Sequence, residues 1–434
     1  MAGGRRKREL QQMSDTDTIK FHTLPELLAP VGTLEKLKIA VHYGADAVYL
    51  GSGQYSLRAH AVMGPDDVAA GVAYAHSHGV KVYVTVNIMA HNRDLADLPA
   101  YLEFLRDVKI DGLIIGDPGI FALARRTVPE LPIHLSTQAN VTNRESALFW
   151  QNQGAERLNL ARELSLAEIE EIRQAVRLKL EIFVHGALCI SYSGRCSLSL
   201  YMTGRDANLG QCAHPCRYRY VLQEEKRPGQ YFPVEEDERG AYIFNSKDLC
   251  LLHHLPALIR AGADSLKLEG RMKSIYYVGA IVRLYRAALD FIGAEIERLG
   301  PAKLGEITLP PAFGEELLKI GSRGYTDNFF TRPPTENDML HQGIDYQPTH
   351  APVGIIREGG ESPLIETRNP IDLGDTLEYL DQGLRNIEVQ VTGMTDSLGL
   401  PILRANPNAM IRLRTVPDLI SPTPYSLLRK KVAK

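Results

Sequence analysis

Ala261-Gly-Ala-Asp-Ser-Leu-Lys-Leu-Glu269 joins a glycine to a short apolar run, and this phrase repeats along the first 270 residues. It returns as Tyr43-Gly-Ala-Asp-Ala-Val-Tyr-Leu-Gly51, His78-Gly-Val-Lys-Val-Tyr-Val-Thr-Val-Asn87, Asp111-Gly-Leu-Ile-Ile-Gly-Asp117 and Gln153-Gly-Ala-Glu-Arg-Leu-Asn-Leu160. In each copy the glycine reads as the left-handed residue that ends a helix, and the run after it as a strand buried on both faces. Glu26-Leu-Leu-Ala, Pro132-Ile-His-Leu-Ser and Glu181-Ile-Phe-Val-His complete a set of eight strands. Helical spacing fills the gaps, as at Thr33–Tyr43, Pro65–His78 and Leu166–Ala175, the last with Ser165 as its N-cap. Eightfold strand–helix alternation predicts an α/β fold, a (β/α)8 TIM-like barrel. The competing open doubly wound sheet lacks support, because Ala29-Pro-Val-Gly32 after the first strand is not a dinucleotide fingerprint.

Outward from this repeat, a polar tail is expected over residues 1–20 and the barrel over 21–300. A long segment separates strands seven and eight. The spacing predicts a helix over Ser246–Arg260, leaving 187–243 as an insertion on the loop after strand seven, and such loops emerge at the catalytic face. An amphipathic helix follows at about Ile275–Ile296, then a Pro-rich connection over 301–344. From 345 to 434 the apolar period changes to two, in Val353-Gly-Ile-Ile, Leu364-Ile-Glu-Thr, Thr376-Leu-Glu-Tyr-Leu, Ile387-Glu-Val-Gln-Val and Met410-Ile-Arg-Leu-Arg. Short alternating strands with Gly and Asp turns predict a small β-barrel domain.

With 44% hydrophobic and 23% charged residues the chain is an ordinary globular one. No run of 18 apolar residues is present, and the basic start Met1-Ala-Gly-Gly-Arg-Arg-Lys-Arg-Glu lacks the apolar stretch of a signal peptide, so a cytoplasmic protein without membrane contact is expected. A net charge of −3 neither advertises nor excludes a nucleic-acid partner.

Five cysteines in 434 residues are too few for a disulfide scaffold. Four of them follow Cys189-x6-Cys196-x15-Cys212-x3-Cys216, within the insertion and among Gly186, Gly194, Gly204 and Gly210. Thiolates are the ligands that iron–sulfur clusters and zinc both select. The absence of a C-x2-C knuckle turns the reading toward a [4Fe-4S] cluster over structural zinc, with zinc retained as the alternative. Cys250, in the apolar Leu249-Cys-Leu-Leu, reads as a core residue of the expected helix.

Glu181-Ile-Phe-Val-His-Gly-Ala-Leu-Cys-Ile-Ser-Tyr-Ser-Gly-Arg-Cys-Ser-Leu-Ser199 resembles the signature of the collagenase-like U-32 peptidase family. Glu26-Leu-Leu-Ala-Pro-Val-Gly-Thr, Tyr55-Ser-Leu-Arg58, Pro132-Ile-His-Leu-Ser-Thr-Gln-Ala-Asn140, Arg162-Glu-Leu-Ser165, Asn245-Ser-Lys-Asp248 and Leu266-Lys-Leu-Glu-Gly-Arg-Met-Lys-Ser274 agree with it. Arg323-Gly-Tyr-Thr326 and Leu373-Gly-Asp-Thr-Leu-Glu378 look like the branch that acts in tRNA hydroxylation, and the resemblance spans residues from about 25 to 420. It implies an iron–sulfur protein, ligated by Cys189, Cys196, Cys212 and Cys216, that forms 5-hydroxyuridine at the tRNA wobble position. It further implies prephenate or a derivative as the small-molecule oxygen donor in place of molecular oxygen, with an electron donor left unnamed. A ribosomal RNA or a quinone precursor is the alternative substrate within the family, and a zinc-stabilised RNA-binding or assembly protein the alternative outside it. Peptidase chemistry finds no His-Glu-x-x-His and no Gly-x-Ser-x-Gly. No His-x-Asp/Glu pair marks a mononuclear iron site either.

Pocket candidates at strand ends are Arg58, Asn87, Asp117, Gln138, Asn140, Asn159 and Glu269, each alone more often structural than catalytic. Lys267, Arg271 and Lys273 follow strand eight, where barrels often hold phosphate, and compete with simple ion pairing to Glu269. Cys216-Arg-Tyr-Arg-Tyr220 interleaves cations with aromatics as RNA-binding strands do, though a two-faced strand explains it as well. Arg404, Arg412, Arg414, Arg429, Lys430 and Lys431 offer a basic surface on the C-terminal domain for RNA.

Overall fold

Eight parallel strands close on themselves: β1 (Glu26–Pro30), β2 (Ala47–Ser52), β3 (Lys81–Val86), β4 (Gly112–Ile115), β5 (Ile133–Leu135), β6 (Arg157–Asn159), β7 (Lys179–Ala187) and β8 (Ser265–Leu268). Each pairs with the next, and β8 seals the ring by pairing with β7 at Ser265↔Glu181 and with β1 at Glu26↔Ser265. The computed structural model describes residues 24–56, 62–189, 191–193, 195–207, 211–217, 222–223, 231–232, 235–237, 240–242, 247–333, 349–419 and 422–432. The expected tail over 1–20, Arg58 and Tyr218–Tyr220 lie outside the described residues.

Helices α1 (Leu34–His42), α2 (Pro65–Ser77), α3 (Leu98–Asp107), α4 (Pro118–Thr127), α5 (Arg144–Asn152), α6 (Leu166–Ala175), α7 (Leu255–Arg260) and α8 (Ile275–Leu299) each follow one strand. Their starts are set by local chemistry. Thr33, Asp117, Asn143, Ser165 and Ser274 each accept a first-turn backbone N–H, and Ser165 with Glu168 forms a full capping box. Gly44, Gly79, Gly154 and Gly262 take positive φ where the helices end. The fourth copy departs from this rule. There Lys109 holds the left-handed position at φ 63°, and Gly112 opens the strand instead.

Alternate strand residues separate two environments. Leu27, Val48, Val84, Leu113, Leu158, Leu180 and Leu266 pack outward against the helices in the main core. Inside the barrel the apolar cluster is small, just Leu28, Ala47, Tyr49, Tyr83 and Ile114. Beside this cluster lies a buried network of charges. Arg157 reaches Glu26 at 2.6 Å and Glu181 at 3.1 Å, Lys267 reaches Glu181 at 2.7 Å, and Tyr83 donates to Glu26 at 2.8 Å. A barrel centre is ordinarily filled by branched apolar side chains.

The segment between β7 and β8 differs from the expected helix over Ser246–Arg260. Asp248–Cys250 is a strand running antiparallel to the end of β7, with Cys250 opposite His185, and the α-helix begins only at Leu255. The edge that β7 extends beyond the barrel needs a hydrogen-bonding partner, and that need outweighs the helical spacing of a short apolar run. Cys250 keeps its core role, half-buried with its sulfur 3.9 Å from the Tyr285 hydroxyl. Tyr325–Thr326, from the stretch after α8, adds a further parallel strand beside Asp248–Cys250.

A second closed barrel holds six antiparallel strands: β9 (His350–Glu358), β10 (Leu364–Thr367), β11 (Thr376–Leu380), β12 (Asn386–Thr395), β13 (Met410–Val416) and β14 (Leu427–Lys431). It seats on α8 and on α9 (Pro311–Lys319) through buried ions. Arg283 and Arg429, both fully buried, share Glu316, and Arg429 also reaches Glu378 at 2.6 Å. This corrects the basic-surface expectation at one position, because Arg429 faces the seam between the two barrels. Arg404, Arg412 and Lys430 are engaged by Asp372, Glu358 and Asp375. Arg414 is exposed on β13.

Candidate functional site

The C-terminal ends of the strands open into a polar cavity of about 70 Å3. Its lining comes from β2 to β8 and the residues just after them. β3 contributes Thr85 and Asn87, β5 Ser136 and Gln138, β6 Asn159, β7 Phe183, and β8 Lys267, Glu269 and Arg271. Tyr49 of β2, Ile114 of β4, Thr137, Ser193 of the insertion and Arg162, which donates to the Ala187 carbonyl at 2.8 Å, complete the mouth.

Each charge here has a physical anchor. Lys267 is buried, salt-bridged to Glu181, and lies 4.5 Å from the Tyr49 ring centroid and 5.3 Å from that of Phe183. Burial holds its ammonium below the usual lysine range, against the pull of Glu181. Arg271 donates to Ser56 Oγ at 2.9 Å and to Thr85 Oγ1 at 3.0 Å. Lys267 therefore pairs with Glu181, a residue of β7, and not with Glu269 as the simple ion-pair alternative had it. Glu269 is the sole carboxylate among the lining residues. Its position is built: the Glu269 N–H donates to the His185 carbonyl at 2.8 Å, and the Tyr277 hydroxyl donates to the Glu269 carbonyl at 3.3 Å. Gly186, at φ 115°, lies so close that a Cβ there would sit 2.7 Å from the Glu269 carbonyl oxygen.

The amides form a second group. Asn87 Nδ2 donates to Gln138 Oε1 at 2.6 Å, and Ser136 Oγ donates to the same oxygen at 3.1 Å. Gln138 Nε2 and Asn159 Oδ1 are fully buried without a hydrogen-bond partner. Native interiors leave few such atoms unpaired.

Asn87, Gln138, Asn159, Glu269, Lys267 and Arg271 are thus brought to one cavity. Asp117, Asn140 and Lys273 are not. Asp117 caps α4, accepting from Ile120 N–H at 2.9 Å. Asn140, left-handed at φ 51°, ties Gln138 to the insertion through the Ser193 carbonyl at 3.1 Å. Lys273 stands 5.3 Å from the Tyr277 ring. The residue reading omitted Tyr49, Thr85, Phe183 and the Glu181 beneath them. Glu181 carried a usable signal, because a carboxylate inside a strand buried on both faces needs a cation beside it.

Cys189, Cys196, Cys212 and Cys216 all lie on the segment that follows β7, Cys189 exposed and the other three half-buried. His214 Nδ1 lies 3.9 Å from Cys212 Sγ. Four thiols suit an iron–sulfur or zinc centre by donor chemistry. Among the described residues, however, no three Cys, His, Asp or Glu side chains converge on a common point.

Beside this arrangement, His185 is buried with Nε2 unpartnered, ringed by Tyr277, Tyr285 and Tyr325. Burial drives its pKa down to about 3. Among the described residues no helix is long and apolar enough to cross a membrane.

Residues 32–340 match the model of peptidase family U32, and residues 348–429 match that of the peptidase family U32 C-terminal domain. The tRNA hydroxylation protein P1 of Bacillus subtilis (strain 168) is 38% identical over 379 residues, covering 86% of this chain and 88% of the relative. The tRNA hydroxylation protein P of Escherichia coli (strain K12) is 38% identical over 421 residues, 86% of this chain and 90% of its own. The 23S rRNA 5-hydroxycytidine C2501 synthase of Escherichia coli (strain K12) is 36% identical over 76% of this chain, but only 46% of its own length is covered.

Proposed function

The chain belongs to peptidase family U32, and from that membership we propose that it is an RNA hydroxylase. Its substrate on this reading is tRNA, and its product 5-hydroxyuridine at the wobble position. The observation that carries the reading is the 38% identity, over 86% of this chain, to relatives named for tRNA hydroxylation. A ribosomal substrate is less well supported, since the rRNA synthase shares less than half of its length with this chain.

The chemistry of the mouth is compatible with the reaction. Tyr49 and Phe183 offer aromatic faces, and single bases lifted out of a stack are held on such faces while amides read their edges. Lys267 and Arg271 give the floor a positive potential that favours a nucleic-acid backbone or an organic acid nearby. Glu269 is the carboxylate able to take the proton that leaves C5 as oxygen enters. The oxygen comes from prephenate or a compound derived from it and not from molecular oxygen; turning C5–H into C5–OH withdraws two electrons from the base, which that compound or a separate redox partner accepts. Cys189, Cys196, Cys212 and Cys216 are the ligands of a [4Fe-4S] cluster in this proposal, which rests on their donor chemistry. Such a cluster supplies one-electron transfer when bound.

Nucleoside analysis of tRNA from cells lacking the gene tests the function. Loss of 5-hydroxyuridine and its restoration by the wild-type gene, with poor restoration by Glu269→Gln, are the expected results. An unchanged nucleoside profile would discard the reading. For the cluster, anaerobically purified protein should be brown, with about four irons and four sulfides per chain. Changing Cys212 and Cys216 together to Ala should bleach it, whereas a colourless wild-type protein holding one zinc would refute the cluster.

A further inference from the structure

The barrel mouth has a defect in its hydrogen bonding, and that defect has the shape of a ligand. Gln138 and Asn159 are each 1% exposed and line the same cavity. Gln138 Nε2 and Asn159 Oδ1 are buried without partners. Their neighbours are engaged: Asn87 and Ser136 both donate to Gln138 Oε1, Thr85 accepts from Arg271, and Lys267 holds Glu181. The two donors on Gln138 Oε1 fix the orientation of that amide, so the group it leaves over is a donor. What the site lacks is therefore an acceptor for Gln138 Nε2 and a donor for Asn159 Oδ1.

We infer that Gln138 and Asn159 read the Watson–Crick edge of the target pyrimidine, an inference that rests on the RNA-hydroxylase reading above. Uracil presents N3–H beside two carbonyl oxygens. N3–H donates to Asn159 Oδ1 while a carbonyl oxygen accepts from Gln138 Nε2, and both defects are repaired by one ligand edge. The ring faces of Tyr49 and Phe183 border the same space and suit a planar base. A cavity of about 70 Å3 admits the edge of a single base and not a stacked nucleotide, which requires the base to be turned out of its loop. Asn87 is a positioning residue here, acting through Gln138.

The test compares three anticodon stem-loop RNAs that differ only at the target nucleotide: uridine, N3-methyluridine and cytidine. Equilibrium binding is measured with the full chain. N3-methylation removes the donor, so the wild-type protein should bind that RNA about tenfold or more weakly than the uridine RNA, and cytidine should be disfavoured as well. Asn159→Ala should weaken uridine binding by a similar factor and bind the methylated RNA as the wild type does. Equal binding of the uridine and N3-methyluridine RNAs by the wild-type protein overturns the inference, and that comparison depends on no variant folding. The underlying reading is scored separately, by 5-hydroxyuridine in tRNA from cells carrying the wild-type gene. Modification present together with equal binding sinks the base-edge inference alone; modification absent sinks the reading beneath it.

Discussion

Glu181→Gln removes the carboxylate on which the floor of the cavity depends, and the structure sets how much that should cost. Lys267 Nζ lies 2.7 Å from Glu181 Oε1. At an effective dielectric of about 20, charges so placed attract by about 6 kcal/mol. The variant cannot lose all of this through Lys267, because the stranded ammonium can release its proton. Giving up a proton held at 10.5 in the unfolded chain costs about 5 kcal/mol at pH 7. Arg157 cannot escape in this way, but it keeps Glu26 at 2.6 Å. A loss of about 3–5 kcal/mol at neutral pH is therefore expected, the range seen when one partner of a buried pair is removed.

The pH dependence gives the sharper test. Lys267 already titrates below its unfolded value, and the variant lowers it further. Between the folded and unfolded values the unfolded chain binds more protons, so stability rises with pH. The ceiling on the lysine penalty falls to about 1.4 kcal/mol at pH 9.5. Urea denaturation at pH 7 and 9.5 should show the Glu181→Gln defect shrinking at the higher pH, and adding Lys267→Met should recover stability at pH 7. A defect below about 1 kcal/mol at pH 7, or one equally large at both pH values, would refute the buried-pair account.

Three further outcomes follow from other parts of the molecule. Arg429→Met leaves Glu316 with Arg283 alone and Glu378 with Lys319 and His350 at the seam between the barrels, and should cost about 3 kcal/mol in a denaturant melt. Burial raises the pKa of both carboxylates, but Arg429, with Arg283 at Glu316 and Lys319 at Glu378, more than reverses it, so their contribution is whole above pH 4.5 and is lost as pH falls below that value; an Arg429→Met protein with the same acid melt as the wild type would contradict this. His185, buried and neutral with its pKa near 3, should make stability fall as pH drops below 6.5, and His185→Phe should flatten that slope between pH 6.5 and 4 in thermal melts. Gly186→Ala should displace Glu269 and lower 5-hydroxyuridine in tRNA at near-normal RNA binding, whereas full modification would show that the close approach at Gly186 does not position Glu269.

What was legible in the chain was whatever is written locally. The Gly–apolar phrase marked five of the eight barrel strands, and short apolar runs marked the other three, because helix termination and double-sided burial leave their traces within a few residues. Ser165 and the bounds of α6 were read directly, since a capping box spans one turn. Five of the six C-terminal strands carried a visible period of two, and β14 did not. Leu427-Leu-Arg-Lys-Lys431 shows no alternation, because buried Arg429 takes the place of an apolar residue and only the seam explains it.

Sequence spacing alone determined that this chain forms a strand–helix barrel with four cysteines on the loop after its seventh strand, because each of those facts depends on neighbours along the chain. Closure of the ring decided everything that depends on facing partners. It placed Asn87, Gln138 and Asn159 side by side from three different strands, and it left Asp117 to cap a helix. It matched Lys267 to Glu181, a carboxylate 86 residues away in the chain. A buried charge or amide is settled by whichever group the fold sets within hydrogen-bond reach, and that distance is a property of tertiary structure and not of sequence separation.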